Sequence, residues 1–90
     1  MKIVINDCYG GFGIRDDIMN YLRSYDVNEE NLRTNPILIG LIESGREVSA
    51  EYADLKVVDI PDESTDYLID EYDGMESILY VIDGKIHRSC

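Results

Sequence analysis

The chain has 90 residues, of which 44% are hydrophobic, and a formal net charge of −11. This composition indicates one globular domain over residues 1–90, and the charge argues against direct nucleic-acid binding while favouring basic partners. No apolar run approaches the roughly 18 residues of a membrane span, and Met1-Lys2 leads into a strand pattern rather than a signal peptide, so we expect no membrane association and a cytosolic protein.

The beginning of the chain is predicted to form a strand, a turn and a helix. Lys2–Asn6 is a short run of β-branched apolar residues, which is typical of a buried strand. The next segment, Asp7–Gly13, contains three glycines and predicts a turn with positive φ angles. From about Arg15 to Tyr25 the apolar residues recur at the helical period, so a helix is expected there.

A second helix and a second strand are predicted in the middle of the chain. Asn35 is a favourable N-cap and Pro36 a favourable first helical residue, and Gly45 is placed to end the helix. Leu55–Ile60 has the pattern of a strand, which Pro61 ends.

The last third of the chain is predicted to be an antiparallel meander. Its strands are Asp66–Tyr72, Met75–Ile82 and Lys85–Arg88, and Asp-Gly pairs at 73–74 and 83–84 join them. Asp-Gly between two strand patterns is a strong hairpin signal, because both central residues of a type I′ turn need positive φ. The order β-α-α-β-β-β-β predicts an α+β fold, with a mixed sheet of about five strands and two helices on one face.

The segment from Val57 to Gly84 is the most informative part of the sequence for function. It contains nine carboxylates and no Lys or Arg, yet apolar residues are interleaved throughout. A disordered acidic tail lacks such interleaving, so we expect a folded sheet with one acidic face that binds the basic surface of another protein. The predicted partner-binding residues are Asp62, Glu63, Asp66, Asp70, Glu71, Asp73 and Glu76.

Several sequence blocks resemble a family of small phage and prophage proteins. They are Lys2–Gly13 (KIVINDCYGGFG), Leu55–Pro61, Ile69–Glu76 and, in part, Lys85–Arg88. The resemblance implies a phage protein that acts in the bacterial cytoplasm, but it implies no reaction. Small size, strong acidity and a phage-like sequence are also similar to anti-CRISPR proteins as a class, many of which dock on basic surfaces of a CRISPR effector.

The glycine-rich turn does not match a phosphate-binding motif. Gly11 and Gly13 form G-x-G, but Asp16 occupies the position of the third glycine, and no Walker lysine is present. Asp7, Asp16 and Asp17 also crowd the place where an anion would bind. A structural turn is therefore favoured over a nucleotide site.

Three residues near the two ends of the chain suggest a zinc site. Cys8 leaves the first strand, whereas His87 and Cys90 lie on or after the last one. If those ends meet, two thiolates and an imidazole supply three tetrahedral Zn²⁺ ligands. Asp7, water or a second chain in a homodimer would supply the fourth. The competing interpretation is a buried Cys8 with an exposed terminal His and Cys.

The sequence leaves three functions open. The favoured one is an inhibitor of a host defence effector such as a Cas nuclease. The inhibitor has no enzymatic activity and blocks the engagement of guide RNA or DNA by the effector. One alternative is a sponge for a nucleotide second messenger, and another is a phage protein of different function with a structural zinc. A catalytic protein with Cys8 as nucleophile and His87 as base lacks an identifiable third group.

Overall fold

The computed structural model of the protein describes residues 1–28 and 30–89. Within these residues the chain forms two α-helices, one short 3₁₀ helix and five strands. None of these helices is long and apolar enough to cross a membrane. The elements are β1 (Lys2–Asn6), α1 (Asp16–Arg23), the 3₁₀ helix (Leu32–Thr34), α2 (Pro36–Glu43), β2 (Leu55–Asp59), β3 (Asp66–Tyr72), β4 (Met75–Ile82) and β5 (Lys85–Ser89).

The predicted start of the second helix is confirmed. The Asn35 side chain accepts a hydrogen bond of 2.8 Å from the backbone N–H of Ile37, and Pro36 is the first helical residue. Gly45 follows the helix with a φ of 86°, a left-handed conformation that favours glycine at this position. The first helix, α1, is shorter than predicted and ends at Arg23.

Both predicted hairpins are confirmed, because Asp73-Gly74 and Asp83-Gly84 each have two positive φ angles. These angles are 51° and 88° in the first turn and 52° and 75° in the second, as a type I′ turn requires. The turns join β3, β4 and β5 into a three-stranded antiparallel sheet, which we call the meander.

The prediction of one mixed sheet is wrong, since the five strands form two antiparallel sheets. β1 pairs only with β2, from Lys2↔Asp59 to Asn6↔Leu55, and we call this pair the ribbon. The α+β class is confirmed. The ribbon and the meander pack face to face through apolar side chains and are not joined edge to edge.

The ribbon is the middle layer of the core. Val4 and Leu55 point to one side, where they pack with Leu22 of α1 and Leu38 of α2. Ile3 and Ile5 point to the other side and pack against Ile78 of the meander, together with Val58 and Ile60. The two helices thus lie on one face of the ribbon. The opposite face is covered by the inner face of the meander.

Candidate partner-binding surfaces

The predicted acidic residues lie along one edge of the meander, with one exception. β3 is an edge strand, because the strand order is β3-β4-β5. Six carboxylates on or beside β3, five of them exposed and Asp70 partly exposed, form what we call the acidic strip: Asp62, Glu63, Asp66, Asp70, Glu71 and Asp73. The first two precede the strand and the last lies in the β3–β4 turn, so the strip follows the whole length of β3.

Most of the acidic strip is not neutralised within the protein. Asp62 accepts a hydrogen bond from the amino group of Met1, which lowers the pKa of its carboxyl group. Asp70 pairs with Arg88 across the meander at 2.9 Å. In the described part of the chain the other four residues of the strip form no ion pair. Their charge is therefore available to attract a basic surface.

Glu76 is the exception among the predicted partner-binding residues, because it lies in the interior of the protein. It is 6% exposed. Its two carboxylate oxygens accept hydrogen bonds of 2.7 and 2.8 Å from the guanidinium of Arg33, and Oε1 also accepts one of 2.8 Å from the backbone N–H of Asn6. Arg33 in turn donates to the carbonyl of Val4 at 3.1 Å. This network ties the 3₁₀ helix, the ribbon and β4 together, so Glu76 has a structural role.

The outer face of the meander, which points away from the ribbon, is apolar at its centre. Strand alternation and register bring four side chains together there: Leu68, Leu79, Val81 and Ile86. Leu68 is 56% exposed and Ile86 is 73% exposed. Asp66 and Asp70 lie on the same face by alternation. The apolar centre is thus flanked by members of the acidic strip.

A buried amide holds three loops at one end of the molecule. Asn6 is fully buried, and its Nδ2 donates to the carbonyls of Cys8 and Gly74 at 2.6 and 2.7 Å. Its Oδ1 accepts from the backbone N–H of Asp54 at 2.8 Å. These partners belong to the glycine-rich loop (residues 7–13), the loop 50–54 and the β3–β4 turn. We call the three loops the three-loop platform. Sequence reasoning missed it, since a polar residue at a strand end does not reveal three distant partners.

The glycines of the platform are needed for close packing between the loops. A Cβ atom at Gly10 would lie 1.8 Å from the carbonyl oxygen of Tyr52, and one at Gly74 would lie 2.5 Å from the backbone nitrogen of Gly11. Both separations are far below van der Waals contact. The glycine-rich loop is therefore packed against protein backbone at these positions, which agrees with its interpretation as a structural turn.

The two described residues of the predicted zinc site lie far apart in one chain. Cys8 lies beside the β3–β4 turn, whereas His87 stacks on Tyr80, its partner across the strands, at 5.3 Å between ring centroids. That position is about 20 Å along β4 from the turn, at roughly 3.3 Å per residue. Cys90 lies outside the described residues.

This separation bears on both roles suggested for Cys8 and His87. A Cys–His hydrogen bond does not form within the chain, and a zinc ion bound to both residues needs them from two chains. Across residues 1–28 and 30–89, no group of three or more His, Cys, Asp or Glu side chains is placed to hold a metal ion. Zinc binding stays a prediction.

Comparison of the chain with protein-family models, with curated proteins and with solved structures gave no match. The resemblance to phage proteins and to anti-CRISPR proteins therefore stays a prediction as well.

Proposed function

We propose that this protein is an inhibitor that docks on the basic, nucleic-acid-binding surface of a host defence protein, with a Cas nuclease as the partner. The observation that carries the proposal is the outer face of the meander, where an exposed apolar centre lies beside the acidic strip, four of whose six carboxylates form no ion pair in the described part of the chain. Protein interfaces combine a desolvated apolar centre with a polar rim, and the outer face has this arrangement.

The charge of the acidic strip supports a partner that normally binds nucleic acid. A groove that holds guide RNA or DNA carries Lys and Arg against phosphates, and carboxylates on a rigid strand can pair with the same side chains. The strip and the nucleic acid bind the same side chains and repel each other, so the protein and the nucleic acid compete for the groove. The resemblance to anti-CRISPR proteins agrees with this mode of inhibition.

The test is inhibition of target-DNA cleavage by a panel of purified Cas nucleases, each with and without preloaded guide RNA. The test variant combines Glu63→Lys, Asp66→Lys and Asp73→Asn, all within the strip. The Asn substitution keeps a residue that tolerates positive φ in the turn. We expect the native protein to inhibit at least one nuclease and the variant to lose inhibition while it keeps its melting temperature.

A matched control separates the location of the charge from its amount. The variant Asp16→Lys, Glu30→Lys and Asp83→Asn changes the net charge equally, but its residues lie on α1, before the 3₁₀ helix and in the β4–β5 turn. We expect this control to inhibit nearly as well as the native protein. Inhibition should also weaken as salt rises, because the attraction is electrostatic. The proposal fails if no nuclease in the panel is inhibited, or if both variants behave alike.

A further inference from the structure

The three-loop platform displays the most exposed aromatic side chains of the protein. Two of the loops supply one exposed tyrosine each, Tyr9 (65% exposed) and Tyr52 (72% exposed), and Tyr72, the last residue of β3 before the third loop, is 75% exposed. Rings exposed to this degree add little to the core. Their role in folding is therefore small, although exposed tyrosines are among the residues that contribute most to protein interfaces.

The backbone under these rings is held together by hydrogen bonds and close packing. The buried Asn6 amide bonds all three loops, and the close approaches at Gly10 and Gly74 pack the glycine-rich loop against the other two. A binding partner therefore does not have to order the loops, which lowers the entropic cost of association.

Tyr52 has a backbone conformation that is unfavourable for its residue type. Its φ is 66°, in the left-handed region where a bulky side chain is an outlier and glycine is favoured. The side chain makes no compensating burial, since it is largely exposed. The chain thus keeps an aromatic ring on the platform at a position where glycine would suit the fold better.

The platform is acidic and has no cationic residue of its own, and of its carboxylates Asp7 pairs with the neighbouring Lys56 at 3.3 Å. Residues 7–13, 50–54 and 71–75 include no Lys or Arg. Exposed carboxylates of Glu51, Asp54 and Asp73 accompany the rings. Inside the same glycine-rich loop, the guanidinium of Arg33 lies 4.1 Å from the centroid of the Phe12 ring, so an arginine–aromatic contact already stabilises the inner side of the loop.

We propose that the three-loop platform binds arginine side chains of the partner, with guanidinium groups stacked on Tyr9, Tyr52 and Tyr72 and paired with the neighbouring carboxylates. A planar guanidinium can stack on a ring and bond a carboxylate at once, whereas the compact, strongly hydrated ammonium of lysine does this less well. This inference rests on the proposed function for the basic character of the partner, and it adds the residue type that the partner must present.

The experiment compares two peptides of equal length and charge, one alternating Gly with Arg and the other alternating Gly with Lys. Binding is measured by titration calorimetry at moderate salt, and the contact site by backbone amide NMR shifts. We expect the arginine peptide to bind several-fold more tightly than the lysine peptide. Its shifts should be largest in the three loops.

Single substitutions then test the rings. Tyr9→Ser, Tyr52→Gly and Tyr72→Thr should each weaken the arginine peptide by about two- to fivefold, the range for an exposed cation–π contact, and leave the lysine peptide nearly unchanged. Tyr25→Ser is the matched control, since Tyr25 is an exposed tyrosine just after α1, and it should change neither affinity. Tyr52→Gly should keep or raise the melting temperature, so its loss of binding cannot be attributed to unfolding.

The outcomes separate this inference from the proposed function. Equal binding of both peptides with no effect of the tyrosine substitutions overturns the platform proposal and leaves the acidic strip as the docking surface. Binding of neither peptide also overturns the platform proposal, whereas the proposed function is decided by the nuclease-inhibition assay. Arginine-selective binding whose shifts lie on α1 also contradicts the platform.

Discussion

The two Asp-Gly turns of the meander provide a matched pair for testing how the three-loop platform is packed. Gly74 and Gly84 occupy equivalent positions in type I′ turns, with φ angles of 88° and 75°. A Cβ atom at Gly84 would meet no atom within 4 Å, whereas one at Gly74 would lie within 3 Å of the backbone of Tyr9 and Gly11. Alanine substitution at each site therefore changes the same turn chemistry in different surroundings.

The expected losses in the free energy of unfolding have two sources: the unfavourable backbone angle of the alanine and the overlap of its Cβ atom with neighbouring backbone. Each alanine in the left-handed region costs about 1–2 kcal/mol. Gly74→Ala adds a backbone overlap that the loops can relieve only by moving apart, and overpacking of this kind costs about 1–3 kcal/mol. We therefore expect Gly84→Ala to lower the free energy of unfolding by about 1–2 kcal/mol and Gly74→Ala by about 2–5 kcal/mol.

Urea unfolding followed by circular dichroism measures both values. A domain of this size loses about 4–8 °C of melting temperature per kcal/mol, so thermal unfolding provides a second reading. Amide exchange should also show faster opening of the glycine-rich loop in Gly74→Ala only. Equal destabilisation by the two substitutions would refute the packing of the β3–β4 turn against this loop.

Three other predictions concern buried groups and metal. Asn6→Ala leaves three polar backbone groups without their partner and should cost about 3 kcal/mol in urea unfolding; a loss below about 0.5 kcal/mol contradicts the role of the amide. Arg33→Met leaves the carboxylate of Glu76 buried and unpaired, and should cost about 3–5 kcal/mol. Adding Glu76→Gln should recover most of that loss, and a double variant no more stable than Arg33→Met would disprove the pairing. If zinc bridges two chains through Cys8 and His87, elemental analysis and light scattering should show zinc only in dimers, and Cys8→Ser or His87→Ala should remove both; zinc in a monomer contradicts this arrangement.

The local features of the fold were predictable from sequence because they depend on neighbouring residues. Asp-Gly pairs favour type I′ turns, which need positive φ at two successive positions. The two pairs therefore predicted the bounds of β3 and β4 correctly. Asn35 and Pro36 specify a helix start by their own hydrogen bonding and fixed φ. The separation into two sheets was not predictable in this way, because it depends on contacts between residues distant in the chain.

The candidate site was predictable only in part, for the same reason. Acidic residues around β3 were identified from composition, and of these only Glu76 is buried, while Asp70 is partly exposed. No spacing in the sequence links Glu76 to Arg33. The platform was missed because Asn6, Tyr9 and Tyr52 become neighbours only through tertiary contacts. The packing of the ribbon on both faces did have a signal in the sequence. The apolar residues of Lys2–Asn6 point to both faces of a strand, which indicates that both faces are covered.

The middle position of the ribbon has a consequence for the order of folding. The pairing Asn6↔Leu55 closes a loop that contains residues 7–54, whereas the strands of the meander are joined by tight turns. Closing a long loop costs more entropy than forming a hairpin, so the meander can form first and β1 must wait for it. During synthesis β1 is made before either layer that buries it. The side of its apolar, β-branched segment that packs on the meander, Ile3 and Ile5, thus stays without cover until the last strands are made. Until then β1 is most prone to intermolecular association.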